Sequence, residues 1–196
     1  MQNLLKRVET LKQSSVKHII DSRLKEFKSL KENRSIFNEL CFCLLTANYS
    51  AEKAIVIQQK IGNGFLNLSE DSLRLKLKEL GYRYPNIRSS YIIEARKHYK
   101  KLEFNRDWLV KNVKGLGMKE SSHFLRNIGY DDYAIIDFHI IDLLVDNQLI
   151  TRPNTITPKK YIEIENVLKE IGSKLCLSLA ELDLYLWYIE TGKVLK

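Results

Sequence analysis

Apolar residues in this chain recur mostly at spacings of three and four, the repeat that lines them up on one face of a helix. Val16, Ile19, Ile20, Leu24 and Phe27 form one such stripe over residues 16–30. Residues 36–47, IFNELCFCLLTA, are too continuously apolar for a surface helix and predict a central one. Ser50 to Ile61 reads as the next helix, with Ser50 as its N-cap. Ser69 to Leu80 opens on a Ser-Glu-Asp-Ser cluster and stops at Gly81. Tyr84-Pro85-Asn86 marks a break before a helix over 87–101. Residues 107–112 and 119–128 flank a Gly-rich turn, and Gly129 closes the second of them. Residues 138–149 and 159–172 are helices separated by a loop holding Pro153 and Pro158, and Ser178 to Glu190 is the last helix. Ala134-Ile135-Ile136 is a short apolar run between helices, and no strand is predicted. No fixed-period repeat or low-complexity segment interrupts the pattern. The expectation is an all-α chain in two lobes, with its ends close in space.

Composition adds a partner class. A chain of 196 residues is long enough to bury a real core. It carries 32 Lys and Arg against 24 Asp and Glu, a formal charge of +8. That balance suits a polyanion, although many basic proteins bind none. Three cysteines, Cys41, Cys43 and Cys176, are an odd number without a disulfide-framework spacing, which fits a reducing compartment. Cys41 and Cys43 are two apart, so on a helix they point in nearly opposite directions and suit buried thiols better than a metal site. No cationic-then-apolar leader opens the sequence, and its apolar runs fall short of the roughly 20 residues that span a bilayer. These features predict a cytoplasmic protein with no membrane contact.

The candidate chemistry lies between Val113 and Ile141. Val113-x-Gly115-x-Gly117 joins two predicted helices, and glycine lets a backbone turn sharply and approach a ligand closely. The next helix begins near Met118-Lys119, where free amides form an anion site. Such a helix–hairpin–helix, about 107–128, can grip a phosphodiester without reading sequence; a plain turn between helices is the other reading. Lys119 follows the hairpin directly. A neutral lysine amine can attack the anomeric carbon of a nucleotide and form a Schiff base, whereas a lysine at a helix start is more commonly a solvated charge. Asp137 precedes an apolar helix and is placed to cap it. A carboxylate held in that way can also stabilise the positive charge that develops on a sugar as its glycosidic bond breaks. His139, two residues on, reads as a packed histidine rather than a catalytic base.

At this point the residues resemble a known family. The segment 113–141 is similar to the helix–hairpin–helix DNA glycosylase superfamily, with its Gly-rich hairpin, lysine and downstream aspartate. More narrowly, GMKESSHFLRNIGYDDYAIIDFHIID, FNELCFCLLTAN, GYRYPNIRSSYIIEAR and LDLYLWYIETGKVLK resemble the archaeal-type 8-oxoguanine DNA glycosylase/AP lyases. These segments lie along residues 36–196. The resemblance implies an all-α, two-lobed helical glycosylase domain over 1–196, with its active-site cleft between the lobes. It implies a bifunctional repair enzyme that excises 8-oxoguanine from double-stranded DNA and cleaves the abasic site by β-elimination. Lys119 falls on the nucleophile and Asp137 on the catalytic aspartate. It further implies no metal or organic cofactor, a monomer, and a place beside the nucleoid. The iron–sulfur cluster of the endonuclease III branch needs four cysteines near the C-terminus, where Cys176 stands alone.

Base recognition requires a flipped-out nucleotide. Asp183 and Trp187 are four apart on the last helix and share a face. Trp187 offers a stacking plane and Asp183 an acceptor for purine N–H groups, although core packing explains a tryptophan equally well. In the resembled family a C-terminal lysine folds back toward the oxidised base, and Lys196 matches it. Tyr84 falls where the family carries an aromatic on the other side of the base; Tyr for Phe, and Pro85 beside it, depart from the family. Asn48 falls where related enzymes insert a polar side chain into the gap left by the flipped base, and a helix C-cap is its other reading. Two further functions stay open on these residues: a glycosylase of the same superfamily for another oxidised base, and a non-catalytic helix–hairpin–helix DNA-binding module.

Overall fold

The computed structural model describes residues 1–196, and twelve α-helices with one short 3-10 turn account for its regular structure. There is no strand. The helices divide into two compact units, one built from Met1–Ser29 with Gly129–Lys196 and the other from Leu30–Ile128. None of the helices is long and apolar enough to cross a membrane.

The first unit holds α1 (Gln2–Lys12), α2 (Val16–Ser29), α10 (Phe138–Asp146), α11 (Pro158–Leu175) and α12 (Leu179–Thr191). Both ends of the chain therefore fold into one unit. α1 packs on α2, α11 and α12, and Lys12 Nζ donates to the Leu175 carbonyl at the end of α11 (2.8 Å). The stripe on α2 buries Val16, Ile20 and Phe27, but Ile19 is 51% exposed. At about 100° per residue Ile19 sits on the margin of that stripe, so it clears the interface while Ile20 enters it. α12 buries Leu179, Ala180, Leu182, Leu184, Tyr185 and Leu186, which makes it apolar nearly all round and central to this unit.

The second unit holds α3 (Asn33–Thr46), α4 (Ala51–Ile61), α5 (Gly64–Asn67), α6 (Glu70–Glu79), α7 (Pro85–Ala95), α8 (Arg106–Asn112) and α9 (Met118–Asn127). α3 is the central helix that its sequence predicts: every residue from Glu39 to Thr46 is buried. Cys41 and Cys43 are buried free thiols, and desolvation pushes the Cys41 thiol well up. The buried Glu39 carboxylate is not left bare, for it accepts from Asn127 (2.6 Å) and Gln58 (3.2 Å) and so ties α9 and α4 to α3. Ser50 and Ser69 cap α4 and α6 through their hydroxyls. Pro85 does not break the chain ahead of a later helix: it is the first residue of α7, where its fixed φ is an advantage and its missing N–H costs nothing. α7 also ends early, at Ala95, passing into the 3-10 turn Arg96–His98.

Candidate active site

In the second unit, α8, the loop Val113–Gly117 and α9 make a helix–hairpin–helix. Buried Val113 and Leu116 seat the loop, and the Leu116 amide closes it on the Val113 carbonyl (3.1 Å). The two glycines have different jobs. Gly115 has φ +93°, and a β-carbon there would lie 2.3 Å from the Tyr91 ring. Only glycine fits both restraints. Gly117 is extended and exposed, so no left-handed turn demands it. Its missing side chain instead leaves room for Glu120, whose Oε2 lies 3.3 Å from where the β-carbon would be. Gly117 is the N-cap of α9, and no side chain hydrogen-bonds to that cap. The first amides of α9 thus keep their partial positive charge for an anion.

Cations surround this hairpin. Arg88 and Lys114 both lie over the Tyr91 ring, at 5.4 and 5.5 Å from its centroid. Lys119 is in the first turn of α9, half-buried, with Nζ 3.1 Å from Glu120 Oε1. The chain reaches this turn on a helix held at its other end by the buried Glu39–Asn127 bond.

The second unit also builds the Asn48 turn. Asn48 is exposed and has φ +58°, a left-handed conformation that asparagine tolerates better than most residues. It is not itself the C-cap of α3, which is Ala47. The last carbonyls of α3 are taken up by side chains from elsewhere. Tyr82 donates to the Leu45 carbonyl (2.8 Å) and Arg88 to the Ala47 carbonyl (3.3 Å). Burial pushes the Tyr82 phenol up to about 12, so it remains a donor at any ordinary pH. Tyr49, next to Asn48, packs edge-on against Tyr82 (4.6 Å), and Tyr82 against Tyr84 (6.5 Å). Tyr49, Tyr82 and Tyr84 therefore form one cluster, with Asn48 next to its first member in the chain. Neither Tyr49 nor Tyr82 stood out in the sequence. Arg83 lies 5.2 Å from the Tyr84 ring centroid and adds a further cation.

In the first unit, Asp137 is the N-cap of α10, and its Oδ1 accepts from the Ile140 amide (3.0 Å). Its Oδ2 takes no bond from the protein. The backbone that delivers it, Ala134-Ile135-Ile136, is extended and buried without a neighbouring strand. Buried amides and carbonyls need partners, and α11 supplies them. Glu165 accepts from the Ala134 amide (3.0 Å), while the Tyr161 hydroxyl accepts from the Ile136 amide (3.1 Å) and donates to the Ala134 carbonyl (2.7 Å). These two residues position the aspartate, and the sequence pattern singled out neither; their only signal is an i, i+4 polar pair within an apolar stripe.

His139 packs edge-on against Trp187, with ring centroids 5.2 Å apart and planes at 90°. Phe138 is 65% exposed and lies 3.9 Å from the His139 ring. Trp187 is half-buried, and its Nε1 is shielded from water yet has no acceptor in the protein. Asp183, one turn before it, is half-buried and borders a narrow crevice formed with Ala134, Ile135, Ile140 and Leu186. Val194, Leu195 and Lys196 are half-buried, not frayed.

An all-helical chain with a cationic glycine hairpin, a lysine in the turn that follows and a capped aspartate belongs to the class of helix–hairpin–helix DNA glycosylases. The family model described as 8-oxoguanine DNA glycosylase matches residues 20–177, and the chain belongs to that family. It is 51% identical to the 8-oxoguanine DNA glycosylase/AP lyase of Methanocaldococcus jannaschii, over 98% of this chain and 99% of that protein. It is 47% identical to the Korarchaeum cryptofilum protein of the same name, over 100% and 99%. Among solved structures it resembles the M. jannaschii glycosylase/lyase in complex with 15mer DNA containing 8-oxoguanine (TM-score 0.94, 51% identity, 98% of this chain and 99% of that one). It is equally close in fold to the Thermotoga maritima 8-oxoguanine DNA glycosylase (TM-score 0.94, 40% identity, 100% and 99%).

The two hairpin glycines should respond differently to the same change. Gly115→Ala incurs left-handed strain of about 1–3 kcal/mol and a clash with Tyr91, so thermal melting should fall by several degrees. Gly117→Ala meets only a flexible carboxylate and should melt within a degree or two of the parent. Equal melting temperatures would mean that Tyr91 does not hold the hairpin.

Proposed function

We propose that this chain excises 8-oxoguanine from double-stranded DNA and cleaves the strand at the resulting abasic site by β-elimination. The observation that carries the reading is Lys119: a lysine in the first turn of α9, directly after a hairpin whose amides and cations suit a DNA phosphate. Residues 1–196 act as one glycosylase domain, and the helix–hairpin–helix around Gly115 and Gly117 is its grip on the backbone. Working on DNA, the protein is placed with the nucleoid.

The roles follow from the chemistry of each group. Lys119 is the nucleophile that attacks C1′ and carries the sugar as a Schiff base. Asp137, with one oxygen capping α10 and the other open, stabilises the positive charge that gathers on the sugar as the base leaves. Trp187 stacks on the extruded base, and its unpartnered Nε1–H is a donor ready for a ligand. Asp183 accepts from purine N–H groups, and Lys196 contributes a charge-assisted contact to the oxidised base. Tyr84 closes the other side of the base. Asn48, held in a left-handed turn by Tyr82 and Arg88, enters the gap in the duplex; an exposed, strained residue on a buried clamp suits an insertion.

Lys119→Gln should lose borohydride trapping and strand cleavage while binding to an 8-oxoguanine duplex persists. A trapped adduct on the variant would remove the lysine from its role. Asp137→Asn keeps an oxygen for the Ile140 amide, so its melting should stay near that of the parent. Its single-turnover excision should fall by about a hundredfold or more; near-normal excision would leave Asp137 as a cap alone. Lys196→Ala should separate the two activities. Excision should drop about tenfold to a hundredfold, the scale of a hydrogen bond to a charged group, with cleavage of a preformed abasic site little changed. Equal losses in both would make the tail structural.

A further inference from the structure

The hairpin carries an acid that the reading above does not use. Glu120 follows Lys119 directly, in a glycosylase whose nucleophile must shed a proton before it can attack. Its Oε1 is 3.1 Å from Lys119 Nζ, and its side chain is only 14% exposed, against 30% for the lysine. The carboxylate lies over Gly117, and a side chain there would crowd it. Glu120 is the third residue of α9, in the first turn, where the helix dipole favours a negative charge. The position is therefore suited to an ionised carboxylate facing one amine.

Glu39 and Arg106, on the two helices packed against α9, are engaged with other partners. α9 packs on α3 and α8. Glu39 of α3 accepts from Asn127 and Gln58, and Arg106 of α8 donates to Ser122 (3.2 Å). At the hairpin, Lys114 pairs with Glu94 (3.7 Å), which also holds Lys97 (3.2 Å). Among the ion pairs of this region, Lys119 has Glu120 alone.

We propose that Glu120 is the proton acceptor for Lys119. The inference rests on Lys119 being the nucleophile. A separation of 3.1 Å lies within the reach required of a general base. One proton passes from the Lys119 ammonium to Glu120 Oε1, which leaves a neutral amine. The Nζ lone pair then forms the bond to C1′ as the glycosidic bond breaks and its electron pair leaves with the base, which takes a second amine proton. Protonated Glu120 finally returns its proton to O4′ as the C1′–O4′ bond opens, leaving the iminium on Lys119 and a carboxylate on Glu120. No other reactant is needed for these steps; Lys119 stays bound to the sugar, and the Glu120 carboxylate is free to take the next proton.

A carboxylate beside an ammonium also stabilises the charged amine. If that were its whole effect, removing Glu120 would speed the reaction near neutral pH. The two roles therefore predict opposite signs. Glu120→Gln, Glu120→Asp and Lys119→Gln would be compared with the parent chain in single-turnover borohydride trapping on a duplex with a preformed abasic site. The pH would run from about 6 to about 10, the range below the ordinary lysine value. Duplex binding and melting would be measured alongside. The expected result for Glu120→Gln is a loss of about a hundredfold near neutral pH with binding retained. The deficit should close by about tenfold per pH unit as free amine appears, and Glu120→Asp should restore much of the neutral-pH rate. An unchanged or faster Glu120→Gln variant, a loss that does not recover with pH, or a variant that no longer folds would each overturn the assignment. Trapping by Lys119→Gln would instead overturn the nucleophile itself, so the two failures are told apart.

Discussion

The ring of Tyr91 occupies the space that a side chain at position 115 would need, and much of the second unit's chemistry follows from that contact. It leaves room only for glycine at that left-handed position, and Arg88 and Lys114 both lie over the same ring. α9 begins directly after the hairpin, at Met118. Because α9 begins there, Lys119 and Glu120 share its first turn, over a capping residue with no side chain. The phosphate grip proposed for this loop needs backbone amides that nothing else has claimed, and a glycine on each side of Leu116 keeps them clear.

The same economy of partners appears wherever this protein must hold backbone outside a helix. The extended run 134–136 has no strand beside it, so Tyr161 and Glu165 replace a sheet's hydrogen bonds one by one. The end of α3 is closed by Tyr82 and Arg88, not by a glycine. In each case buried polar side chains from elsewhere in the same unit fix a segment that then presents one polar residue, the half-buried Asp137 or the exposed Asn48. An unsatisfied buried amide costs about 1–3 kcal/mol, so these clamps have little freedom to vary their geometry. That rigidity is what a site needs if it is to meet a sugar carbon or a gap in a duplex at a defined distance.

The aromatic residues divide along similar lines. Tyr185 and Phe42 are wholly buried and belong to packing. Trp187 is half-buried with a donor that nothing in the protein satisfies, and His139 stands edge-on against it. The wholly buried Tyr185 hydroxyl also lacks a partner, so it is the partial exposure of Trp187 together with its free donor that suits the stacking role proposed for it.

The helical periods, the serine caps and the hairpin motif were legible in the sequence because each depends on residues within four positions of one another. Helix identity, the burial of α3, the cap by Asp137 and the candidate nucleophile all fall in that class. Errors arose at the margins for the same local reason. Ile19 lies at the edge of its stripe, and Pro85 opens a helix as readily as it interrupts one. What only the tertiary structure decided are the pairings between segments far apart: Gly115 with Tyr91, Tyr49 beside Asn48 with Tyr84 through Tyr82, Asp137 with Tyr161 and Glu165 through residues 134–136. No periodicity encodes these, because each is settled by which helix faces come together and by the need of every buried polar group for a partner. Glu120 belongs between the two classes. Its place beside Lys119 is visible in the sequence, but the direction of its carboxylate depends on the bare backbone of Gly117, and that only the folded hairpin reveals.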